Sequence, residues 1–453
     1  MTLHANFRKR CPKKRYVCLL HFINILPTLP FLFNNFNYMK KAALLIVLIT
    51  LLVPVSIVAQ QDNRSNRNAG GNSQEPAPVF NFKVVPVNLT GSAENRVTVG
   101  YAGDGYTTAD LSTLPGHVKT AVDYLATDIL PTRPYARYFR FLNIYRIDLV
   151  SEESGISRAS KFGDSLSVKV KNSIGGTRDD DRLGWVDGRL ADQMFGQAAT
   201  SAGLEQFDWK YAVLNNSAYH NSGGRHVVFS YNYGREIAMH EAGHGFHQLA
   251  DEYYGKGTYT RQEPRQVNVT ADSTGAKWAH WIGYVDADTL LGTVGVYEGA
   301  IYVDKGAYRP TPNSKMGWTS DRKPASFNAI CREKIILDIY ELVRPADSFA
   351  DTTVTHTNPD KLWVKVVDSD VIKVDWYVNG KLVAENGGES LSADQIGKKA
   401  GTYTVKAHLY DEVVKYAFSD NKKPHPLDLV RRDLDKLQQD ITWNVVVKKP
   451  GRK

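Results

Sequence analysis

The sequence has little cysteine. Its 453 residues include three cysteines, and two of them, Cys11 and Cys18, lie within the first 20 residues. The rest of the chain has only Cys331, which excludes an internal disulfide there and a small disulfide-stapled scaffold. Stability must then come from a large core, and a composition with 42% hydrophobic and 11% aromatic residues is typical of a globular protein.

An excess of charge of one sign is also missing once the N-terminal region is set aside. The whole chain has a formal net charge of +8, but residues 1–59 hold eight of the 56 Lys and Arg residues and no Asp or Glu. The other residues contain 48 basic and 48 acidic side chains. Nucleic-acid binding depends largely on basic side chains that contact phosphates, so we expect no nucleic-acid partner.

One long apolar run is present near the N-terminus. The segment MKKAALLIVLITLLVPVSIVAQQ starts at Met39 with two lysines, continues through apolar Ala42–Val58 and reaches small Ala59. This order predicts that residues 1–59 consist of an upstream extension followed by a secretory signal, with Met39 as the true start. A cytoplasmic tail on a membrane anchor is the alternative. We expect a bacterial protein of the cell envelope or the medium, without a stable membrane anchor after cleavage of the signal.

Composition divides the remaining chain into a linker and two folded regions. Residues 60–78, rich in Asn, Gln, Ser and Gly, are predicted to be a flexible linker. Residues 79–345 mix strand and helix patterns, which predicts an α/β (α+β) domain. Short strands without long helices over 352–449 predict a small all-β sandwich of the Ig-like kind. The predicted strands include Phe80–Val87, Arg96–Tyr101, Phe141–Val150, Trp209–Asn215, His226–Ser230, Leu362–Val367, Ile372–Val378, Thr402–Leu409 and Ile441–Val447, and the predicted helices include Thr107–Thr127 and Ile335–Val343.

Chemistry is concentrated in the segment IAMHEAGHGFHQLADEYYG. His240 and His244 are four residues apart, so on a helix both imidazoles face the same side and can bind one metal ion. Glu241 lies beside them and can take a proton from a metal-bound water. The segment therefore predicts a zinc site with two ligands and a general base. A surface helix with two unliganded histidines is the alternative.

A third zinc ligand is harder to assign. Asp251 follows His244 by seven residues, which is a rise of about 10 Å on a straight helix and too far for a shared ion. The helix must therefore end, and we expect a turn near Leu249 that returns Asp251 to the metal. No Gly or Pro lies between Phe246 and Asp251 to force this turn. His247 and Glu252 remain alternatives to Asp251.

The motif and several other segments resemble those of the IgA peptidases, family sixty-four of the metallopeptidases. HEAGHGFHQLADEYY resembles the zinc signature of that family. Further similar blocks, in chain order, are AGDGYTTADL, FLNIYRIDLVSEESG, VLNNSAYHNSGG, VGVYEGAIY and YRPTPNSKM. The resemblance extends over about Val97–Val343.

This resemblance implies a metzincin-like zinc peptidase domain that acts on proteins or peptides. His240, His244 and Asp251 would bind zinc, Glu241 would be the general base, and Met316 would lie in a turn beneath the metal. His247 stands where metzincins have glycine. Ser314 and Asn328 stand where relatives often have cysteines, which suggests that a stabilising link is missing here.

Accessory groups are expected around this site. Glu298 is expected to line the cleft or to support a ligand. The hydroxyl groups of Tyr253, Tyr254 and Tyr308 are candidate donors to the oxyanion of the reaction intermediate. The strand His226–Ser230 is expected to be a sheet edge that pairs with an extended substrate.

The expected function is hydrolysis of peptide bonds by an exported zinc peptidase. Two other classes of function fit the same sequence. One is a non-catalytic binding or adhesion protein on a degenerate peptidase fold, although the retained Glu241 argues against it. The other is a hydrolase of glycopeptides, with the C-terminal sandwich as a saccharide-binding module. Substrate specificity does not follow from a fold or a family.

Overall fold

Helices cover both faces of a central sheet in the region that carries the motif. The computed structural model describes residues 78–159, 166–178, 182–318 and 324–449. The leader expected over 1–59 and nearly all of the linker expected over 60–78 lie outside the described residues. Among the described residues, no helix has the length and apolar character needed to cross a lipid bilayer.

The elements of the first region, up to residue 345, follow in chain order. They are β1 (Phe82–Asn88), β2 (Val97–Asp104), α1 (Leu114–Ala126), β3 (Leu142–Leu149), β4 (Ser157–Ala159), β5 (Leu166–Val168), β6 (Gly175–Arg178), β7 (Gly184–Val186), α2 (Gly188–Ser201), β8 (Trp209–Leu214), β9 (Asn221–Ser222), β10 (Val227–Ser230), α3 (Glu236–Gly245), β11 (Tyr297–Ala300), β12 (Val303–Arg309) and α4 (Ala329–Leu342). Helix α1 begins later than the predicted Thr107, because Thr107 and Asp110 hydrogen-bond to each other and residues 110–112 form a 3₁₀ turn.

Six strands form the central sheet in the order β1-β3-β2-β8-β10-β9. The inner strands β3, β2, β8 and β10 run parallel, and β1 and β9 pair antiparallel at the two edges. Strand β10 is therefore not an edge, and the expectation for His226–Ser230 was wrong. The two-residue strand β9 covers it, which the sequence around Asn221 does not indicate. A separate four-stranded sheet has the order β5-β4-β6-β7.

Side chains of the inner strands alternate between two hydrophobic clusters, as expected for a sheet covered on both faces. On β8, Trp209, Tyr211 and Val213 pack with the apolar residues of α1, α3 and α4. The intervening Ala212 and Leu214 pack with those of α2. The first region is thus a mixed α/β fold with helices on both sides of its sheet. It places α3 directly after β10 on the side of α1 and α4.

The second region, from residue 346 onward, consists mainly of strands. They are β13 (Ala346–Phe349), β14 (Thr355–Thr357), β15 (Lys361–Val366), β16 (Ile372–Val378), β17 (Lys381–Ala384), β18 (Ser390–Ser392), β19 (Gly401–Asp411) and β20 (Gln438–Val447), with a short helix α5 (Ala393–Ile396). They form a three-stranded sheet β13-β15-β18 and a five-stranded sheet β14-β20-β19-β16-β17. Asn379-Gly380, a pair that favours tight hairpin turns, connects β16 to β17, with φ angles of 49° and 77° in the turn.

The two regions share one hydrophobic cluster and fall within one compact unit, Glu75–Lys453. Tyr340 of α4 belongs to the same cluster as Val374 and Trp376 of β16. Polar contacts cross as well, since Arg96 forms an ion pair of 2.6 Å with Asp347. The division into a domain over 79–345 and another over 352–449 stays a prediction.

Candidate metal centre

Helix α3 is anchored at its start and fitted closely to its neighbours. Glu236, in its first turn, is buried and forms an ion pair with the buried Lys315. Gly223, in the loop after β9, lies so close to the helix that a Cβ atom there would be 2.4 Å from the Glu241 carbonyl oxygen. Only glycine fits there without displacing backbone. The loop therefore forms a wall directly beside the motif.

Helix α3 ends at Gly245, and the chain then reverses. Gln248 has a φ of 52°, a left-handed conformation that is uncommon for a residue other than glycine. The Leu249 N–H donates to the Gly243 carbonyl at 2.9 Å, and the Leu249 carbonyl accepts from His244 Nδ1 at 2.8 Å. The turn expected near Leu249 is present, and it brings Asp251 back to the histidines.

The structure brings His240, His244 and Asp251 together as a cluster suited to a metal ion. The two Nε2 atoms are 3.2 Å apart, and Asp251 Oδ1 lies 3.3 Å from His240 Nε2 and 3.1 Å from His244 Nε2. Ligand atoms at about 2.0–2.1 Å from a tetrahedral zinc are about 3.3 Å apart, so this triangle has the size of three zinc ligands.

Hydrogen bonds on the far side of each ring fix which nitrogen faces the cluster. His240 Nδ1 donates to the Lys315 carbonyl at 2.7 Å, and His244 Nδ1 donates to Leu249. Neutral imidazoles with hydrogen on Nδ1 direct the Nε2 lone pairs at each other and at the Asp251 carboxylate. Three converging electron-rich atoms repel one another unless a cation or a proton lies between them. The donor set therefore fits a divalent metal ion.

The ionisable groups of the cluster influence one another. Burial would raise the pKa of Asp251, but its contacts with His240 and His244 hold that pKa well below its usual range. Burial would lower the pKa of His244, but the hydrogen bond and the charge of Asp251 raise it above its usual value. A proton and a metal ion then compete for the same imidazole nitrogen, so metal binding should weaken as the pH falls.

Glu241 lies beside the cluster in an open cleft of about 520 Å³. Other residues that line the cleft include Ser222, Gly223, Gln248, Tyr253 and Tyr302. Burial raises the pKa of Glu241 above the ordinary value of a glutamate, although the nearby histidines oppose the shift. Such a carboxylate accepts a proton more readily near neutral pH than an exposed one does.

Glu252 and His247, the alternatives to Asp251, point elsewhere. The buried Glu252 carboxylate accepts hydrogen bonds from Asn268 at 2.9 Å, Ser314 at 2.6 Å and Asn328 at 2.9 Å. Ser314 and Asn328, which stand where relatives often have cysteines, are therefore connected by hydrogen bonds to one carboxylate. His247 is buried and bonds Asp338 through Nδ1 at 2.9 Å.

Met316 is fully buried beneath the helix. A Cβ atom on Gly243, between the two histidines, would come within 2.5 Å of Met316 Sδ, so the methionine packs directly against the helix backbone. The Met316 carbonyl accepts from the Glu252 N–H at 2.7 Å. The side chain thus lies where a residue that supports the site from below is expected.

The accessory residues expected from the sequence are mostly placed differently. Glu298 is bonded to Lys305 and to the Gly306 N–H, and does not line the cleft. The Tyr254 ring lies 4.6 Å from the guanidinium of Arg309, and of the three expected tyrosines only Tyr253 lines the cleft.

Tyr302 was missed by sequence reasoning. Its hydroxyl donates to Asp251 Oδ2, and it accepts from the Tyr253 hydroxyl at 2.9 Å. Tyr302 is the last residue of the family-like block VGVYEGAIY, but that block does not indicate which of its tyrosines meets Asp251.

Comparison with known proteins agrees with this site. A family model described as IgA Peptidase M64 matches residues 85–288, a range that contains the whole cluster of His240, His244 and Asp251. No curated protein matches the chain at a significant level. The family is one of metallopeptidases, which suggests a metal cofactor. Residues 85–288 thus match the M64 family of IgA peptidases, and this match implies that the chain is a peptidase.

Proposed function

We propose that the protein is an exported zinc endopeptidase that hydrolyses protein or peptide substrates, with Glu241 as its general base. One observation carries the proposal: His240 Nε2, His244 Nε2 and Asp251 Oδ1 converge within 3.3 Å of one another, beside Glu241, in an open cleft. A non-catalytic binding protein would have no need for a half-buried carboxylate beside the metal ligands.

Zinc fits this donor set better than calcium or magnesium does. Two imidazoles with one carboxylate suit zinc, whereas calcium and magnesium prefer oxygen ligands throughout. A bound zinc ion would supply an activated water and polarise the carbonyl of the scissile peptide bond. His240, His244 and Asp251 would hold it, and the cleft would leave its remaining side open to substrate.

Glu241 is suited to move the proton in this reaction. Its raised pKa lets the carboxylate take a proton from the attacking water near neutral pH. The same carboxyl group can then give that proton to the nitrogen of the leaving amine, which would otherwise leave as an unstable anion. The Gly223 backbone also hydrogen-bonds the Glu241 carboxylate, which helps to hold it beside the ligands.

The finer architecture is part of the proposal. We propose a metzincin-like peptidase domain, supported by Met316 beneath the helix, and an Ig-like sandwich over 352–449. The two C-terminal sheets contribute to one cluster, in which Trp376 and Trp443 stack at 5.7 Å. The shared core favours a bracing role for this sandwich over an independent saccharide-binding role.

The mechanism is tested by replacing the base without changing its size. Glu241→Gln should retain bound zinc but lose about 10²–10⁴-fold in kcat/KM, because the amide cannot accept the proton. Glu298→Gln is the matched control, since Glu298 is a carboxylate outside the cleft. Zinc is measured by mass spectrometry, and hydrolysis with a peptide library derived from a proteome. Undiminished hydrolysis by Glu241→Gln would disprove the mechanism.

The third ligand needs its own comparison. Asp251→Ala should lose zinc, and Glu252→Gln should retain it, because the Glu252 carboxylate is occupied by Asn268, Ser314 and Asn328. The opposite result, with zinc kept by Asp251→Ala, would show that the assignment of Asp251 is wrong.

Export is tested by expressing the full chain in a bacterium that secretes proteins. The protein recovered outside the cytoplasm should begin directly after Ala59. Recovery of chains that begin at Met1 or Met39 in the cytoplasm alone would contradict export.

A further inference from the structure

The hairpin of β11 and β12 ends in a turn that its own residues disfavour. Ala300 pairs with Val303, so Ile301 and Tyr302 form a two-residue loop, with φ angles of 52° and 66°. Such a turn favours Asn-Gly, which the same chain uses at Asn379-Gly380. A left-handed conformation is especially unfavourable for a β-branched residue such as isoleucine. The turn is therefore strained, and strain of this kind persists where surrounding contacts hold it.

Backbone contacts hold the tip of this hairpin against the segment that carries Asp251. The Ile301 N–H donates to the Asp251 carbonyl at 3.1 Å, and the Tyr302 N–H donates to the Tyr253 carbonyl at 3.1 Å. These two bonds fix the tip on both sides of residue 252. The Glu252 side chain is itself held in its buried network, so the Asp251 backbone is fixed from two directions.

A side-chain contact then fixes the carboxylate itself. The Tyr302 hydroxyl donates to Asp251 Oδ2, and the Tyr253 hydroxyl donates to Tyr302 at 2.9 Å. The Tyr302 hydroxyl group thus accepts one hydrogen bond from Tyr253 and donates one to Asp251. The bond occupies one carboxylate oxygen and turns the other, Oδ1, towards His240 and His244. Without it, the carboxylate would be free to rotate about its Cβ–Cγ bond.

We propose that Tyr302, presented by the strained tip of the β11–β12 hairpin, is the positioning residue that sets the Asp251 carboxylate for metal binding. The inference rests on the metal site of the proposed function. Tyr302 remains 57% exposed, so burial of its ring is not the main reason for its place in a turn that disfavours it. A hydrogen bond that orients a ligating carboxylate commonly strengthens metal binding by about 10–100-fold.

The first test removes only the hydroxyl group. Tyr302→Phe should weaken the affinity for zinc by about 10–100-fold, measured on folded protein by competition with a chelating indicator. Activity should recover as free zinc is raised, with little change in KM for the peptide. Tyr297→Phe is the matched control on the same hairpin, where the hydroxyl bonds only the Thr293 carbonyl, and it should bind zinc as the wild type does.

A second variant separates positioning from folding. Ile301→Asn combined with Tyr302→Gly gives the turn its preferred residues, so the zinc-free protein should unfold at a temperature higher by about 2–4 °C. The same variant should bind zinc as weakly as Tyr302→Phe. Higher stability together with weaker zinc binding cannot come from a damaged fold.

Two results would overturn the inference. One is wild-type zinc affinity in Tyr302→Phe, and the other is a zinc-free double variant less stable than the wild type. Failure of the proposed function would look different, because the wild-type protein would then bind no zinc or hydrolyse no peptide.

Discussion

Asp411 joins the two regions of the chain, and its removal should destabilise both together. The carboxylate is fully buried at the end of β19. Its Oδ2 accepts from the hydroxyl groups of Tyr138 at 2.6 Å and Tyr340 at 2.9 Å. Its Oδ1 accepts from Arg137 at 3.1 Å. Three donors from the first region thus meet one acceptor from the second.

Asp411→Ala should lower the free energy of unfolding, because it leaves three donors without their buried acceptor. A hydrogen bond to a charged group contributes about 1.5–3 kcal/mol, and loss of one partner of a buried ion pair costs about 3–5 kcal/mol. These contributions overlap at one carboxylate, so we expect a loss of about 3–5 kcal/mol in the free energy of unfolding. That is a large part of the roughly 5–15 kcal/mol typical of a folded protein. Tyr138→Phe and Tyr340→Phe should each cost less.

Hydrogen exchange followed by mass spectrometry gives the assay, because it reports both regions separately. In Asp411→Ala, peptides from β2 and β8 should lose protection to the same extent as peptides from β16 and β19. The control is Asp440→Asn, whose half-exposed carboxylate bonds Lys406 and His408 and should contribute only about 0–1 kcal/mol. Faster exchange in the second region alone would refute the reasoning and would support two independent domains.

Other changes should have effects of known direction. Gly223→Ala should lower activity and should lower stability by about 1–3 kcal/mol, since its Cβ atom would lie 2.4 Å from helix backbone. The control Gly116→Ala places its Cβ atom with nothing within 4 Å and should be neutral or stabilising. Thermal melts and peptide hydrolysis compare the two variants, and equal behaviour would contradict the close fit of Gly223. Burial lowers the pKa of His247 below its unfolded value of about 6.5, so its contribution to stability should be complete above that pH and decline as the pH falls below it. Denaturation of the wild type and of His247→Gln at several pH values measures how the free energy of unfolding depends on pH. An identical pH dependence in both proteins would exclude His247 as a source of it. Burial raises the pKa of the Cys331 thiol well above its usual value, so an alkylating reagent at neutral pH should label it only after unfolding. Rapid labelling of the native protein would contradict this and would show that the surroundings of Cys331 open.

Much of the fold could be predicted because local and tertiary preferences agree there. Strand β16 was predicted with its observed bounds, and the turn at Asn379-Gly380 has residues that favour its conformation. Helix α3 agrees with the spacing of His240 and His244, and its apolar residues Ile237 and Met239 are buried.

Other features depend on contacts distant in sequence and could not be predicted. Gln248 takes a left-handed conformation that its residue type does not favour, and the bonds from Leu249 to Gly243 and His244 stabilise the turn. Tyr302 lies 51 residues after Asp251, and nothing in the local sequence indicates that the two side chains meet. The positions of Ser314 and Asn328 were noted, but their shared partner Glu252 was visible only in three dimensions.

The hydrogen bonds around Glu252 stabilise this part of the protein without a disulfide bond. Ser314 and Asn328 are joined by hydrogen bonds to a carboxylate, and the thiol of Cys331, 3.5 Å from Glu252 Oε1, stays unpaired. A thiol reductant has no disulfide bond to cleave there, so the segment beneath the candidate metal centre can form in the presence or absence of oxygen. The same network is sensitive to acid instead, because burial raises the pKa of the Glu252 carboxyl group, which therefore takes up a proton at a less acidic pH than an exposed glutamate does.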